Sequence, residues 1–209
     1  MTRAKLTAGE LETFRSNAIA WVIQMISKRG PQSFSMRALA NELGVSPMTP
    51  YRYFTDKDHL LATVREEAFR HFADSQRAVY QATDPAHRLS ALGRSYLQFA
   101  IDEPGLYRVM FDLEQAPSDT HPGLAKEQNR SFSYLLASME EAIRANGRTG
   151  NALLLAHLAW ATVHGIISLH FAGKLTIGCA LEDLLQSSYF RIHEEFRSPV
   201  VGNHAHSTK

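Results

Sequence analysis

The chain has 209 residues, 44% hydrophobic and 21% charged, with 22 Lys and Arg against 21 Asp and Glu. That mix excludes a disordered or low-complexity chain and suits a globular protein of one large domain or two small ones. Its single cysteine, Cys179, excludes an internal disulfide, fits a reducing compartment, and is expected to be a small buried apolar side chain.

The opening stretch MTRAKLTAGELETF contains no apolar run of the secretory kind, so a cytoplasmic protein is expected. From Leu11 the apolar residues Phe14, Ala18, Trp21, Val22, Met25 and Ile26 recur at three and four, which predicts an amphipathic helix that Gly30-Pro31 ends. Ser35 stands where it can cap a short helix, Met36 onward, that Gly44 stops. Ser46-Pro47 signals the next start. Asp56 opens a helix of about 25 residues, with Leu60, Leu61, Val64, Ala68 and Phe72 on one side.

Asp84-Pro85 begins a further helix through Leu89, Leu92, Tyr96 and Phe99, and Glu103-Pro104-Gly105 separates it from a short segment, Leu106 to Phe111. Residues 115–123 (QAPSDTHPG) read as the clearest loop and the expected mobile region. A helix resumes through Phe132, Leu135, Leu136, Met139 and Ile143 and stops near Asn146-Gly147. Ala152 to Phe171 is apolar around most of its circumference but interrupted by three histidines, so it reads as a covered helix and not as a membrane span. Leu181, Leu184, Leu185, Ser188, Ile192 and Phe196 make the last stripe, and after Pro199 the tail is polar and expected to be disordered. No strand alternation exceeds four residues. The fold class is therefore all-α, with about nine helices, divided into a head (1–56), a helical body (57–198) and a tail (199–209).

Charge is distributed unevenly. Residues 1–57 hold eight Lys and Arg against four acids, a balance of +4, while residues 58–209 hold 14 against 17, a balance of −3. A basic head on an acidic body suits a polyanionic partner. Within the head, Ser35–Phe54 reads SMRALANELGVSPMTPYRYF. Ala40 allows a close helix crossing, Gly44 allows a tight turn, and Leu39, Leu43 and Val45 face inward, as a helix-turn-helix requires. Its second helix is short, hydroxyl-rich and basic. Ser35, Arg37, Tyr51, Tyr53 and Lys57 suit phosphate contacts; Met48 and Thr49 are placed for base edges; Arg52 suits either; and Ser46 and Pro47 complete the DNA-facing set.

The run GVSPMTPYRYFTDKDHLL resembles the recognition segment of the TetR family of transcriptional regulators, and the likeness extends over about residues 10–65. The resemblance implies that Thr49, Tyr51, Tyr53 and Lys57 are DNA contacts and that Phe54 is a core anchor. One position departs: Pro50 stands where the family commonly has Leu or Val. Proline cannot donate to the Ser46 carbonyl, so the recognition helix is expected either to start at Pro50 with Thr49 as its cap or to be loosened over Pro47–Thr49.

Past residue 65, Trp160, His164 and Gly165 in WATVHGIISLHF, with LYRVMF earlier, resemble the TetR-like C-terminal type marked by a Trp-His-Gly signature. The resemblance implies a homodimer through 152–171 and 181–196, a palindromic double-stranded operator, and a small-molecule effector. A pocket for an apolar or aromatic effector would be lined by Phe69, Phe72, Tyr96, Phe99, Tyr107, Met110, Phe111, Phe132, Met139, Trp160 and His164, residues that serve equally as core. For Trp160 and His164, packing with a satisfied hydrogen bond is the preferred reading. No catalytic or phosphate-loop motif occurs, so no enzyme activity, cofactor or metal is expected. The alternative function is a helical interaction protein that keeps the head fold but acts through a protein partner.

Overall fold

The computed structural model describes residues 8–30, 33–111, 120–147, 149–176, 178–181, 183–185 and 187. It is all-helical over these residues: α1 (Ala8–Arg29), α2 (Met36–Glu42), a 3₁₀ turn (Pro50–Arg52), α3 (Lys57–Ala82), α4 (Pro85–Asp102), α5 (Pro104–Phe111), α6 (Pro122–Ala145) and α7 (Ala152–Phe171). Among the described residues these are seven α-helices and one 3₁₀ turn, against an expectation of about nine helices over the whole chain. Residues 181, 183–185 and 187 are helical and open the last predicted stripe, with Leu181 and Leu185 buried. The rest of that stripe, the tail and residues 115–119 of the expected mobile loop lie outside the described residues. The loop ends earlier than expected, because Pro122, with its preset φ, already forms the first turn of α6.

The helices begin and end where local chemistry places them. On α1, Phe14, Ala18, Val22 and Ile26 repeat every four residues and are buried, and Gly30, at φ +82°, closes the helix with its N–H on the Ile26 carbonyl. Ser35 caps α2, its Oγ accepting from Ala38 N at 3.1 Å. Asp56 caps α3 and accepts from His59 N at 2.7 Å. That bond is the main reason its carboxyl is held below its ordinary value, desolvation acting in the opposite direction. Asn151 caps α7 through Leu154 N.

The chain forms two compact units, one from residues 1–83 and 94–134, the other from 84–93 and 135–209. In the first, α2 packs on α1 and on the 3₁₀ turn, and α5 packs on both α1 and α3. Arg130 of α6 bonds Asp74 of α3 at 2.7 Å and Glu127 at 2.6 Å. In the second unit, Nη1 of Arg88 donates to both carboxylate oxygens of Glu141 at 2.9 Å. Helix α7 is long and apolar enough to cross a membrane by length and composition. In the structure one stripe of it, Ala156, Ala159, Val163 and Ile167, is buried, while Leu153, Leu154, Leu158 and Leu169 are about half exposed. Cys179 corrects an expectation: it is exposed, since it follows α7 in a stretch outside any helix and has no face turned to a core.

Candidate nucleic-acid interface and aromatic cluster

The connection from α2 follows from Gly44. Its φ of +64° lets Gly44 N reach Asn41 O at 3.2 Å and Val45 N reach Ala40 O at 2.9 Å, the paired bonds of a Schellman end. The chain then enters the recognition segment. Ser46 O accepts from Thr49 N at 2.8 Å, Thr49 O from Arg52 N at 3.1 Å, and Pro50 O from both Tyr53 N and Phe54 N at 3.0 Å. Three of these bonds span three residues, and the element is a turn followed by a 3₁₀ turn instead of a regular α-helix from Pro47. Thr49 precedes the 3₁₀ turn at the cap position, but its backbone is already helical (φ −64°, ψ −46°) and its side chain makes no capping bond. The proline therefore loosens the start without pushing Thr49 out of the helical region.

Two internal contacts hold this element. The ring of Tyr53 stacks on Phe14 of α1, centroids 4.5 Å apart, and Lys57 Nζ lies 4.7 Å from the centre of the Phe34 ring. Phe54 is buried, and so is Pro50. The expected DNA-facing residues then divide by exposure. Ser35, Arg37, Pro47, Met48, Tyr51 and Arg52 are exposed, whereas Ser46, Thr49, Tyr53 and Lys57 are half-buried. Met48 is 68% exposed and Tyr51 47%. The Ser35 oxygen is engaged in capping, which leaves its O–H as a donor for a phosphate oxygen.

Of the expected effector residues, six join in one chain of ring contacts within the first unit. Phe72 meets Tyr96 at 5.2 Å and Phe99 at 5.1 Å; Tyr96 meets Tyr107 at 6.0 Å and Phe111 at 6.4 Å; Phe111 meets Tyr107 at 5.0 Å and Phe69 at 5.9 Å. Edge-on and tilted geometries of this kind favour the ring quadrupoles. Met110 is fully buried and Phe132 half-buried in the same unit. Met139, Trp160 and His164 fall in the second unit. There Trp160 and His164, both half-buried, are 6.2 Å apart by ring centres, and His164 Nε2 is 3.3 Å from Ser168 Oγ.

Sequence reasoning missed how α5 seats on the head. Arg108 donates to the Ser27 carbonyl of α1 at 3.0 Å, which neutralises part of the negative end of that helix. Gly105 lies so close to Ser27 that a Cβ would overlap the Ser27 hydroxyl. A lone arginine in the apolar run LYRVMF was the available signal. Also unforeseen, His59 of α3 accepts from Thr55 N at 3.2 Å and stacks against His121, ring centres 5.9 Å apart. A buried Arg65, its guanidinium pKa lowered by desolvation, shares a stripe of α3 with Phe69, Phe72 and Gln76. Among the described residues no group of His, Cys, Asp and Glu is arranged to hold a metal ion.

Two family models match the chain: bacterial regulatory proteins of the tetR family over residues 23–64 and the tetracyclin repressor-like C-terminal domain over residues 89–189. No curated protein matches. Among solved structures, a protein of unknown function from Rhodococcus sp. RHA1 is similar with 24% identity and TM-score 0.75, over 93% of this chain and 98% of its own. A TetR family transcription regulator from Marinobacter aquaeolei VT8 gives 15% identity and TM-score 0.67, over 88% and 97%. The regulator FadR from Bacillus subtilis, solved in complex with stearoyl-CoA, gives 16% identity and TM-score 0.68, over 88% and 97%.

Proposed function

Since this chain belongs to the tetR family of bacterial regulatory proteins, we propose that it is a cytoplasmic dimeric repressor which a small apolar or aromatic ligand releases from a palindromic operator. The observation that carries the release mechanism is the double seating of α5. One part of that helix, Tyr107 and Phe111, belongs to the aromatic cluster. Another part, Gly105 and Arg108, rests on Ser27 of α1 in the head. A ligand that spreads the rings moves α5, and α5 cannot move without disturbing α1 and α3. Head (1–56) and body (57–198) are thereby coupled, and DNA affinity falls because the ligand favours the displaced state.

Support for the dimer comes from α7. With Ala156, Ala159, Val163 and Ile167 turned inward, Leu154, Leu158 and Leu169 remain open, and a Cβ placed at Gly165 on that same face would meet nothing within 4 Å. An apolar helix face of this kind calls for a partner, and a second copy of the chain, paired through 152–171 and 181–196, supplies one. Paired heads would read two half-sites about 34–36 Å apart.

The test is selection of bound fragments from the source genome, followed by fluorescence anisotropy on the recovered duplex. The expected result is a dimer that binds a palindrome with affinity falling steeply in salt and that some apolar or aromatic compound releases. Leu154→Glu with Leu158→Glu should yield a monomer by light scattering with operator affinity at least tenfold weaker. A wild-type monomer at micromolar concentration would refute the dimer. A protein that captures no DNA but retains a protein partner would favour the interaction-protein reading.

A further inference from the structure

Lys57 is the first residue of α3 and one of the side chains that suit a phosphate. Its place is electrostatically awkward. A cation in the first turn of a helix meets the positive end of the macrodipole, and among the described residues no carboxylate lies within ion-pair distance of it. The neighbouring Asp56 is engaged elsewhere: its Oδ1 accepts from His59 N at 2.7 Å and its Oδ2 from Thr55 Oγ1 at 3.4 Å. What Lys57 has instead is a ring. Its Nζ lies 4.7 Å from the centre of Phe34, within the range at which an ammonium is drawn to the negative face of an aromatic side chain.

Phe34 is held firmly enough to act as a seat. The ring is buried, and Trp21 of α1 packs against it in a T-shaped contact, ring centres 6.2 Å apart. The preceding residue is tied to the same helix, Ser33 Oγ donating to the Met25 carbonyl at 3.0 Å, and the following one, Ser35, caps α2. The seat is also uncharged. A carboxylate partner would cancel the Lys57 charge, whereas the ring leaves it whole. An ammonium has three N–H donors, and those turned away from the ring remain for phosphate oxygens.

We infer that Phe34 is a positioning residue for DNA binding: its ring face holds the Lys57 ammonium, with its charge intact, in place for a backbone phosphate. This rests on the DNA-binding reading of the head. Without the seat, the flexible stem of Lys57 samples many rotamers, and that freedom is lost at each binding event. With it, the side chain is ordered before DNA arrives. The contribution is to affinity for every duplex and not to base preference, because the contact is with phosphate.

The experiment replaces Phe34 in the full chain by phenylalanines with one and with three ring fluorines, which drain the negative face while changing the shape little. Phe34→Leu, which keeps bulk but has no ring, is the encoded counterpart. Each is made with Lys57 and with Lys57→Met, which keeps a stem of similar bulk without the charge. Duplexes selected by the wild-type chain from a randomised pool are titrated at low salt by fluorescence anisotropy, and thermal unfolding is followed in parallel. The expected result is a stepwise fall in affinity with fluorination, reaching about twofold to fivefold per head, alike for all duplexes and absent in the Lys57→Met background. An affinity that stays constant or rises with fluorination overturns the proposal, a rise meaning that the ammonium leaves the ring to reach DNA. A fall that persists in Lys57→Met overturns it too, since packing alone would then be responsible. Should Phe34→Leu fail to fold, the fluorinated chains decide. A wild-type chain that selects no duplex removes the DNA-binding reading itself, an outcome distinct from an affinity indifferent to fluorine.

Discussion

Replacing Gly105 by alanine perturbs the contact through which α5 bears on α1. The new Cβ would overlap Ser27 Oγ and stand 3.3 Å from Ser27 Cβ, with Ile23 Cγ2 at 3.5 Å. The 3.3 Å carbon-to-carbon approach is relieved by a shift of a few tenths of an ångström, but the hydroxyl overlap is severe, so the Ser27 hydroxyl must leave its place or the two helices must separate slightly. Overpacking of this kind costs about 1–3 kcal/mol, and alanine in place of glycine in a helix returns up to about 1 kcal/mol. The net loss is about 1 kcal/mol, a fall in Tm of roughly 2–4 °C for a chain of this size. Ser27→Ala alone should change stability by no more than about 0.5 kcal/mol. Combined with Gly105→Ala it removes the overlapping atom and keeps the helix gain, so the double variant should equal or exceed the wild type. Thermal and urea unfolding of the four proteins by circular dichroism gives the cycle, with an expected coupling of about 1–2 kcal/mol. Additive effects, or a Gly105→Ala variant as stable as wild type, would show that Gly105 does not hold α5 against α1.

Lys57→Ala should weaken binding to all duplexes alike and lower the slope of log affinity against log salt by about 1, as expected for one lost phosphate contact; an unchanged slope would mean that Lys57, seated over Phe34, does not reach DNA. Phe72→Ala removes a buried ring that touches Tyr96 and Phe99 and should cost about 3–5 kcal/mol in urea unfolding. Asp56 has its carboxyl pKa depressed in the folded chain, chiefly by the His59 N–H bond. Its stabilisation is therefore fully present above the unfolded carboxylate pKa and is lost as pH falls through the lower folded value. Asp56→Asn still caps the helix but does not titrate, so its urea midpoint should depend less on pH in the acid range than that of the wild type.

What the sequence by itself determined was local. Ser35, Asp56 and Pro85 mark helix starts because capping and proline geometry act within one turn, and Phe14, Ala18, Val22 and Ile26 reveal the buried face of α1 because helical periodicity sorts side chains without any partner. The effect of Pro50 was equally legible, since a missing N–H needs no tertiary context. Its detail was not: Thr49 stays helical because the buried Pro50 and Phe54 and the Tyr53–Phe14 stack hold the segment in place, and local propensity carries no information about that support.

Only the tertiary structure decided which residues meet. It joined six of the eleven expected effector residues in one ring cluster and put Met139, Trp160 and His164 in another unit. A stretch apolar all round, Ala152–Phe171, shows no preferred inner face in sequence; packing chose Ala156, Ala159, Val163 and Ile167 and left Leu154 and Leu158 open. The seating of Arg108 and Gly105 on Ser27, about 80 residues away along the chain, depends on how three helices pack at once. No spacing in the sequence encodes a contact of that range, because its energy comes from burial shared among residues that local order never brings together.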